Sequence, residues 1–209
     1  DFIDGRPNDR VGLVVFAGET FTQVPLTTDH SVVKNLFEEI ESGMIEDGTA
    51  IGDGLATAVS RLRESKAISK VIIILTDGVN NAGAVDPVSA AEIAELYGIR
   101  IYAIGVGSIG TAPYPVQTPF GIRYQDMEVE IDEELLKNVA AMTEGEYFRA
   151  TSNNKLESIY KEIDELEKSK IDVTEFHKKS EEFYLFALLA LMLFVLEIIL
   201  KNTVFRTTP

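Results

Sequence analysis

Two short stretches of this 209-residue sequence place oxygen donors where they could do chemistry. The first is EDGTAIGDG, residues 46–54, in which Thr49 follows Gly48 and precedes an apolar run. The second is LTDGVNNAG, residues 75–83, in which Asp77 ends a run of β-branched residues. A hydroxyl and a carboxylate converging on one sheet edge are hard donors, which suit Mg²⁺, Mn²⁺ or Ca²⁺ rather than zinc. An aspartate at the C-terminal end of a buried strand also lies where α/β sheets bind ligands. Spacing alone leaves a second use open for each. Thr49 can cap the helix that follows it, and Asp77 can be a turn residue capping the next segment.

Other chemistries find less support. There is no cysteine, which excludes disulfides, zinc–thiolate sites and cysteine nucleophiles. The two histidines, His30 and His177, stand in no H-E-x-x-H motif. GVGSIG (105–110) matches a dinucleotide fingerprint and follows a strand pattern. That motif needs a helix directly after it, and Thr-Ala-Pro-Tyr-Pro cannot start one. A metal hydrolase would need a general base and a phosphate- or oxyanion-binding group near the metal. No histidine is placed to be that base, and neither loop carries a lysine or arginine, so the expectation is a protein that is not an enzyme. With 34 acids against 19 bases, a net charge of −15 makes nucleic acid an unfavourable partner.

The elements that must position these loops follow from hydrophobic period. VGLVVFA (11–17), KVIIILTDG (70–78) and IRIYAIGVG (99–107) are near-continuous apolar runs, suited to strands buried on both faces. TFTQVPL (20–26) alternates, and Pro25 fits it to a sheet edge. EYFRA (146–150) is a further short strand. Helical spacing falls between the runs: a helix capped by Asp29, one over 51–64, one from Pro87 to Gly98, one over 132–142 and one over 154–168. Alternating strands and helices predict a doubly wound, mostly parallel α/β sheet. Residues 108–132 hold three of the seven prolines and interrupt the alternation, reading as a surface excursion with a small hairpin around Phe120-Gly121. The opening DFIDGRPNDR lacks a methionine and reads as the end of a helix, a turn and the approach to a strand, so an N-terminally truncated domain is expected.

The last third changes character. Residues 155–182 are densely charged in both signs, as in a solvated helix. FYLFALLALMLFVLEIIL (183–200) then carries one charge, Glu197, over ~27 Å of helix, close to the bilayer core. The basic KNTVFR after it favours a cytoplasmic C-terminus. The expected organisation is a domain over 1–168, a charged linker over 169–182, a transmembrane helix over 183–200 and a tail over 201–209.

Four ordered blocks, DRVGLVVFAGETFTQVPLTTD, GMIEDGTAIGDGLATAVSRL, VIIILTDGVNNAG and GIRIYAIGVG, resemble the von Willebrand factor A (VWA) family across about residues 1–168. Within it, the TAPYPVQTPFG excursion and the apolar C-terminal segment are similar to membrane-anchored bacterial proteins of the Bacteroides aerotolerance (BatA) type. The resemblance implies a VWA/Rossmann-like fold whose first strand and first helix are absent or partial here. It implies a metal-ion-dependent adhesion site (MIDAS) in which Thr49 is the loop threonine and Asp77 the aspartate after a central strand. The third part of that site, D-x-S-x-S, occurs nowhere in these residues; the nearest string, Asp29-His30-Ser31-Val32-Val33, lacks the second serine and begins a helix. The implied cofactor is Mg²⁺, or Mn²⁺ or Ca²⁺, held weakly or not at all by this chain alone. The implied partner is a protein offering an acidic side chain to the metal, in a system with related VWA membrane proteins and a MoxR-type ATPase. The implied location is the bacterial inner membrane, with the globular part in the periplasm. The competing reading is a structural membrane protein with a non-functional metal site.

Overall fold

The computed structural model describes residues 3, 5–41, 43–107, 110–118, 121–129, 131–177 and 183–203. The chain forms two compact units, Asp1–Glu167 and Lys168–Pro209. In the first, β3 (Val71–Thr76), β4 (Arg100–Val106) and β7 (Tyr147–Ala150) make a parallel sheet in the order β3-β4-β7. An antiparallel pair, β1 (Val11–Phe16) and β2 (Thr20–Thr27), forms a separate sheet. Helices α1 (His30–Glu38), α2 (Ile51–Leu62), α3 (Pro87–Leu96), α4 (Glu133–Met142) and the first part of α5 (Asn153–His177) complete the unit.

The alternation of side chains along β4 divides the interior into two layers. Ile101 and Ala103 pack with Ile51, Leu55 and Val59 of α2, the alanines of α3 and Leu136 and Val139 of α4. Tyr102 and Ile104 face the opposite way, against Ile159 and Ile163 of α5. Burial on both faces is why these strands read as continuous apolar runs rather than alternating ones. In α3, Ala90, Ala91 and Ala94 are fully buried, and their small side chains let the helix lie close to its neighbours. Pro25 is exposed on β2 beside buried Val24, as suits an edge.

Sheet continuity is incomplete among the described residues. β3 pairs only with β4 and β1 only with β2, so each has an edge with no strand against it. Helix α2 touches both strands and spans the break.

The excursion is a two-stranded hairpin, β5 (Gly110–Thr118) and β6 (Gly121–Val129), closed by the Thr118–Gly121 pair. Phe120, on which the sequence centred its turn, lies outside the described residues. The helix expected to end near Lys168 continues to His177, so the described part of the proposed 169–182 linker is helical. Lysine and glutamate are good helix formers, and pairs such as Lys161–Glu157, at 2.8 Å, support the exposed face.

In the second unit, α6 (Phe183–Thr203) is a 21-residue helix whose described side chains from Phe186 to Ile198 are all exposed. Among the described residues no helix is long and apolar enough to cross a membrane. The expected span over 183–200 relies on side chains at 183–185 and 199 that lie outside the described ones.

One polar cluster sits at the opposite end of the parallel sheet from the Thr49 and Asp77 loops. The Glu167 side chain, 3% exposed, accepts hydrogen bonds from Arg100 Nε, Tyr102 Oη and Ser69 Oγ, each at 2.7 Å, and pairs with Arg100 Nη2. Burial pushes the Glu167 carboxyl up, but the bonds from Arg100, Tyr102 and Ser69 outweigh it and hold the pKa below the ordinary 4.5. Burial, and then the bond to Glu167, raises the Tyr102 phenol above its ordinary 10.0. A depressed carboxyl stabilises above its unfolded pKa, and a raised phenol stabilises below its own. The cluster's contribution is therefore full between the ordinary values of 4.5 and 10.0; below 4.5 it fades and is lost as pH falls through the folded pKa of Glu167, and above 10.0 it fades and is lost as pH rises through the folded pKa of Tyr102. Urea denaturation across pH should show both limbs, with Tyr102→Phe reducing the alkaline one, to which the raised phenols of Tyr147 and Tyr160 also contribute. Glu167→Ala, which leaves Arg100 without its carboxylate, should cost about 3 kcal/mol at neutral pH.

Candidate functional site

Three loops meet at the C-terminal edge of β3. Asp77 is the first residue past that strand and is exposed. Behind it, the Thr76 hydroxyl accepts from the Gly78 amide at 3.3 Å and fixes the turn. Thr49, half-buried, lies in the loop before α2. It does not cap that helix: Ala50 holds the N-cap position and offers no side-chain acceptor. The cap comes from the other loop, because the Ile51 amide donates to Asn80 Oδ1 at 2.8 Å. The Thr49 amide donates to Asn81 Oδ1, also at 2.8 Å. In return, the amides of Asn81 and Ala82 donate to the Thr49 carbonyl at 3.1 and 3.4 Å. One turn into α2, the Asp53 carboxylate accepts from the amides of Ala84, at 3.0 Å, and Val85, at 2.7 Å.

The loop after β1 closes the third side. The Ala50 amide donates to the Ala17 carbonyl at 2.7 Å, and the Gly18 amide to the Glu46 carbonyl at 2.8 Å. Two glycines make the approach possible. Gly48 has φ 145°, and a β-carbon there would stand 2.9 Å from the Gly18 Cα. At Gly78 a β-carbon would stand 3.0 Å from Thr49 Oγ1. The turn that carries Asp77 therefore lies directly against the Thr49 hydroxyl, and the two residues singled out in the sequence are brought to one place.

Charge at this edge favours a cation. Glu46, Asp47 and Asp77 are exposed there, and residues 17–19, 46–50 and 77–83 include no lysine, arginine or histidine. The donor set is nonetheless small. Among the described residues no group of three or more histidine, cysteine, aspartate or glutamate side chains is placed to hold a metal. Thr49 and Asp77 offer one neutral and one anionic oxygen, part of the six or more that a hard divalent ion takes. Asp29, in the string nearest to D-x-S-x-S, is occupied as the N-cap of α1. Its Oδ1 accepts from the Ser31 hydroxyl and from the amides of Ser31 and Val32. Those bonds, the Ser31 hydroxyl first, lower its pKa. The GVGSIG stretch leads into β5 and not into a helix, so it lacks the N-terminus that a pyrophosphate needs.

Sequence reasoning missed Asn80, Asn81 and Asp53, which hold the loops in register. One signal was present: a helix starting at Ile51 behind an alanine has no local cap, and Asn-Asn stands just past a strand end. Asn80→Ala should leave the Ile51 amide unpaired and lower stability by about 1 kcal/mol. Thermal denaturation checks this, and an unchanged midpoint would mean that water replaces the cap.

With this geometry in view, comparison with known proteins is informative. The family model for the von Willebrand factor type A domain matches residues 1–162. An uncharacterized protein of Borreliella burgdorferi is 32% identical over 148 residues, covering 70% of this chain and 43% of that protein. The chain thus spans less than half the length of that relative. An aerotolerance-related membrane protein from Bacteroides fragilis, solved with multiple mutations to serines, is 30% identical with a TM-score of 0.65, over 78% of this chain and 81% of that one. Proximal thread matrix protein 1 from the mussel byssus, solved with a zinc-occupied MIDAS motif, is 27% identical with a TM-score of 0.58, over 78% of this chain and 37% of that one. The family match covers the sheet, its helices and all three loops, and the chain belongs to the von Willebrand factor type A domain family.

Proposed function

We propose that this chain is the interaction module of a membrane-anchored protein, binding a partner through a divalent cation held at the edge of β3. The observation that carries the reading is the contact between the Thr49 hydroxyl and the turn bearing Asp77, in a loop edge free of basic residues. Thr49 supplies a fixed dipole and Asp77 a carboxylate. Further oxygens would come from water. The bound cation, Mg²⁺ or else Mn²⁺ or Ca²⁺, would supply a site for an acidic side chain of the partner. No bond is made or broken, in keeping with an edge that carries no histidine, lysine or arginine. The zinc-occupied MIDAS of the mussel protein supports divalent-ion chemistry on this fold.

Membrane anchoring is drawn from α6. A helix that exposes Phe186, Leu188, Leu189, Leu191 and Leu193 has an apolar surface that water does not tolerate. The Bacteroides fragilis neighbour is itself described as a membrane protein. The basic tail orients the C-terminus to the cytoplasm and the globular unit to the periplasm of a bacterial inner membrane. There it would work with related VWA membrane proteins and a MoxR-type ATPase in aerotolerance. The absence of a three-ligand acidic cluster among the described residues favours a second reading, a structural membrane protein whose metal site does not function.

Calorimetric Mg²⁺ titration of the full-length protein separates the two. Asp77→Ala should weaken Mg²⁺ affinity and chelator-sensitive partner capture together, and Thr49→Ala should act in the same direction but less. Loss of stability of about 1 kcal/mol with unchanged Mg²⁺ affinity would leave turn and capping roles only. Removal of residues 180–209 should release the chain from carbonate-washed membranes, and retention in the pellet would show that α6 is not the anchor.

A further inference from the structure

The β5–β6 hairpin leaves the sheet just past the end of β4, whose Gly105 pairs with Thr76 of β3, the residue before Asp77. Its root is therefore at the same sheet edge as the metal loops. Among the described residues it is a sheet of its own, with no third strand on either side. A two-stranded ribbon alone is marginal in water.

Proline decides which of its two edges can take another strand. Antiparallel pairs alternate between those that exchange N–H···O bonds and those whose N–H and C=O point outward. Pro113 pairs with Asp126 and Pro115 with Tyr124. Proline has no N–H to exchange, so these are outward-pointing pairs, as are Thr111–Glu128 and Gln117–Ile122 in the same register. The Thr118–Gly121 pair then exchanges bonds, as the closing pair of a two-residue hairpin loop should. The outer edge of β5 consequently lacks two of its donors, which blunts it against strand addition. The outer edge of β6 keeps every donor, at Ile122, Tyr124, Asp126 and Glu128. Charge defines what fits there: between Gly110 and Glu130 the sequence has Asp126, Glu128 and Glu130 against Arg123 alone.

We propose that the outer edge of β6 is a strand-addition surface for an extended, basic segment of a partner protein. This deepens the interaction reading by naming a segment of the partner, and it is independent of the metal. Main-chain bonds to the β6 edge give the segment its register, and lysine or arginine side chains meet the acidic strand. The blunted β5 edge directs addition to one side of the ribbon.

The test uses the chain in detergent, without divalent metal, and a synthetic peptide of alternating lysine and valine, with a glutamate–valine peptide as control. Amide exchange by NMR should show Ile122, Tyr124, Asp126 and Glu128 fast and Arg123, Gln125 and Met127 slow, with the first set slowing when the basic peptide is added. Tyr124→Pro removes one outward donor while keeping the ladder to β5, and should weaken peptide binding about fivefold, the worth of one backbone hydrogen bond. Should that variant lose the hairpin, seen as fast exchange at Arg123 and Gln125, the double change Asp126→Lys with Glu128→Lys carries the test and should reverse the preference to the acidic peptide. Binding that survives both changes would be attraction to the acidic surface at large and would overturn the proposal. Slow exchange of the first set in the free chain, with concentration-dependent dimers, would overturn it in favour of a second copy. Asp77→Ala should leave peptide binding intact, so failure of the metal reading and failure of this one are told apart.

Discussion

β4 has no wet face. Ile101 and Ala103 must be covered on one side and Tyr102 and Ile104 on the other, and all four are fully buried. That requirement places α2, α3 and α4 above the sheet and α5 below it. A strand closed in this way leaves only its two ends in contact with solvent, and both ends are put to use. At one, Arg100 and Tyr102 reach Glu167 on α5. At the other, the chain emerges into the hairpin beside the Asp77 turn.

The Glu167 cluster and the loop edge show two ways of handling polar groups near a dry interior. Glu167 is inside, so its charge is compensated three times over by Arg100, Tyr102 and Ser69. The cluster fixes the register of α5 against the sheet. At the loop edge it is the backbone that must be satisfied. Side-chain oxygens of Asn80, Asn81 and Asp53 take up amides of the neighbouring loop, so the loops are tied together while the Asp77 side chain is left exposed to solvent.

Among the described residues, β1, β3 and β6 each have an edge with no strand against it. Unpaired strand edges are liabilities that folds usually cover or blunt. Here prolines blunt β5, while α2 lies across the gap between β1 and β3 without pairing with either. Docking through strands as well as through a cation would give such a module two independent means of specificity. Main-chain pairing sets register and the charged rim selects sign.

Much of this protein was legible in its residues. Apolar period located β1, β3 and β4, the Asp29 cap marked α1, helical spacing over 132–142 located α4, and Pro87 opened α3. Four ordered blocks between residues 9 and 107 carried the resemblance to the family whose model matches residues 1–162. The hairpin was legible as an interruption but not as a pair of unequal edges, which depend on the register that pairs Pro113 with Asp126. Asn80, Asn81 and Asp53 were not legible as the clamps of the site, since each bonds a residue about thirty positions away and sequence reports only near neighbours. Glu167 looked like one more charge on a solvated helix, although its side chain is buried. Sequence by itself determined where strands, helices and candidate ligands lie, because period and capping are local properties. Tertiary structure alone decided which loop caps which helix, which carboxylate is buried and which strand edge stays open, because those depend on contacts between segments distant in the chain.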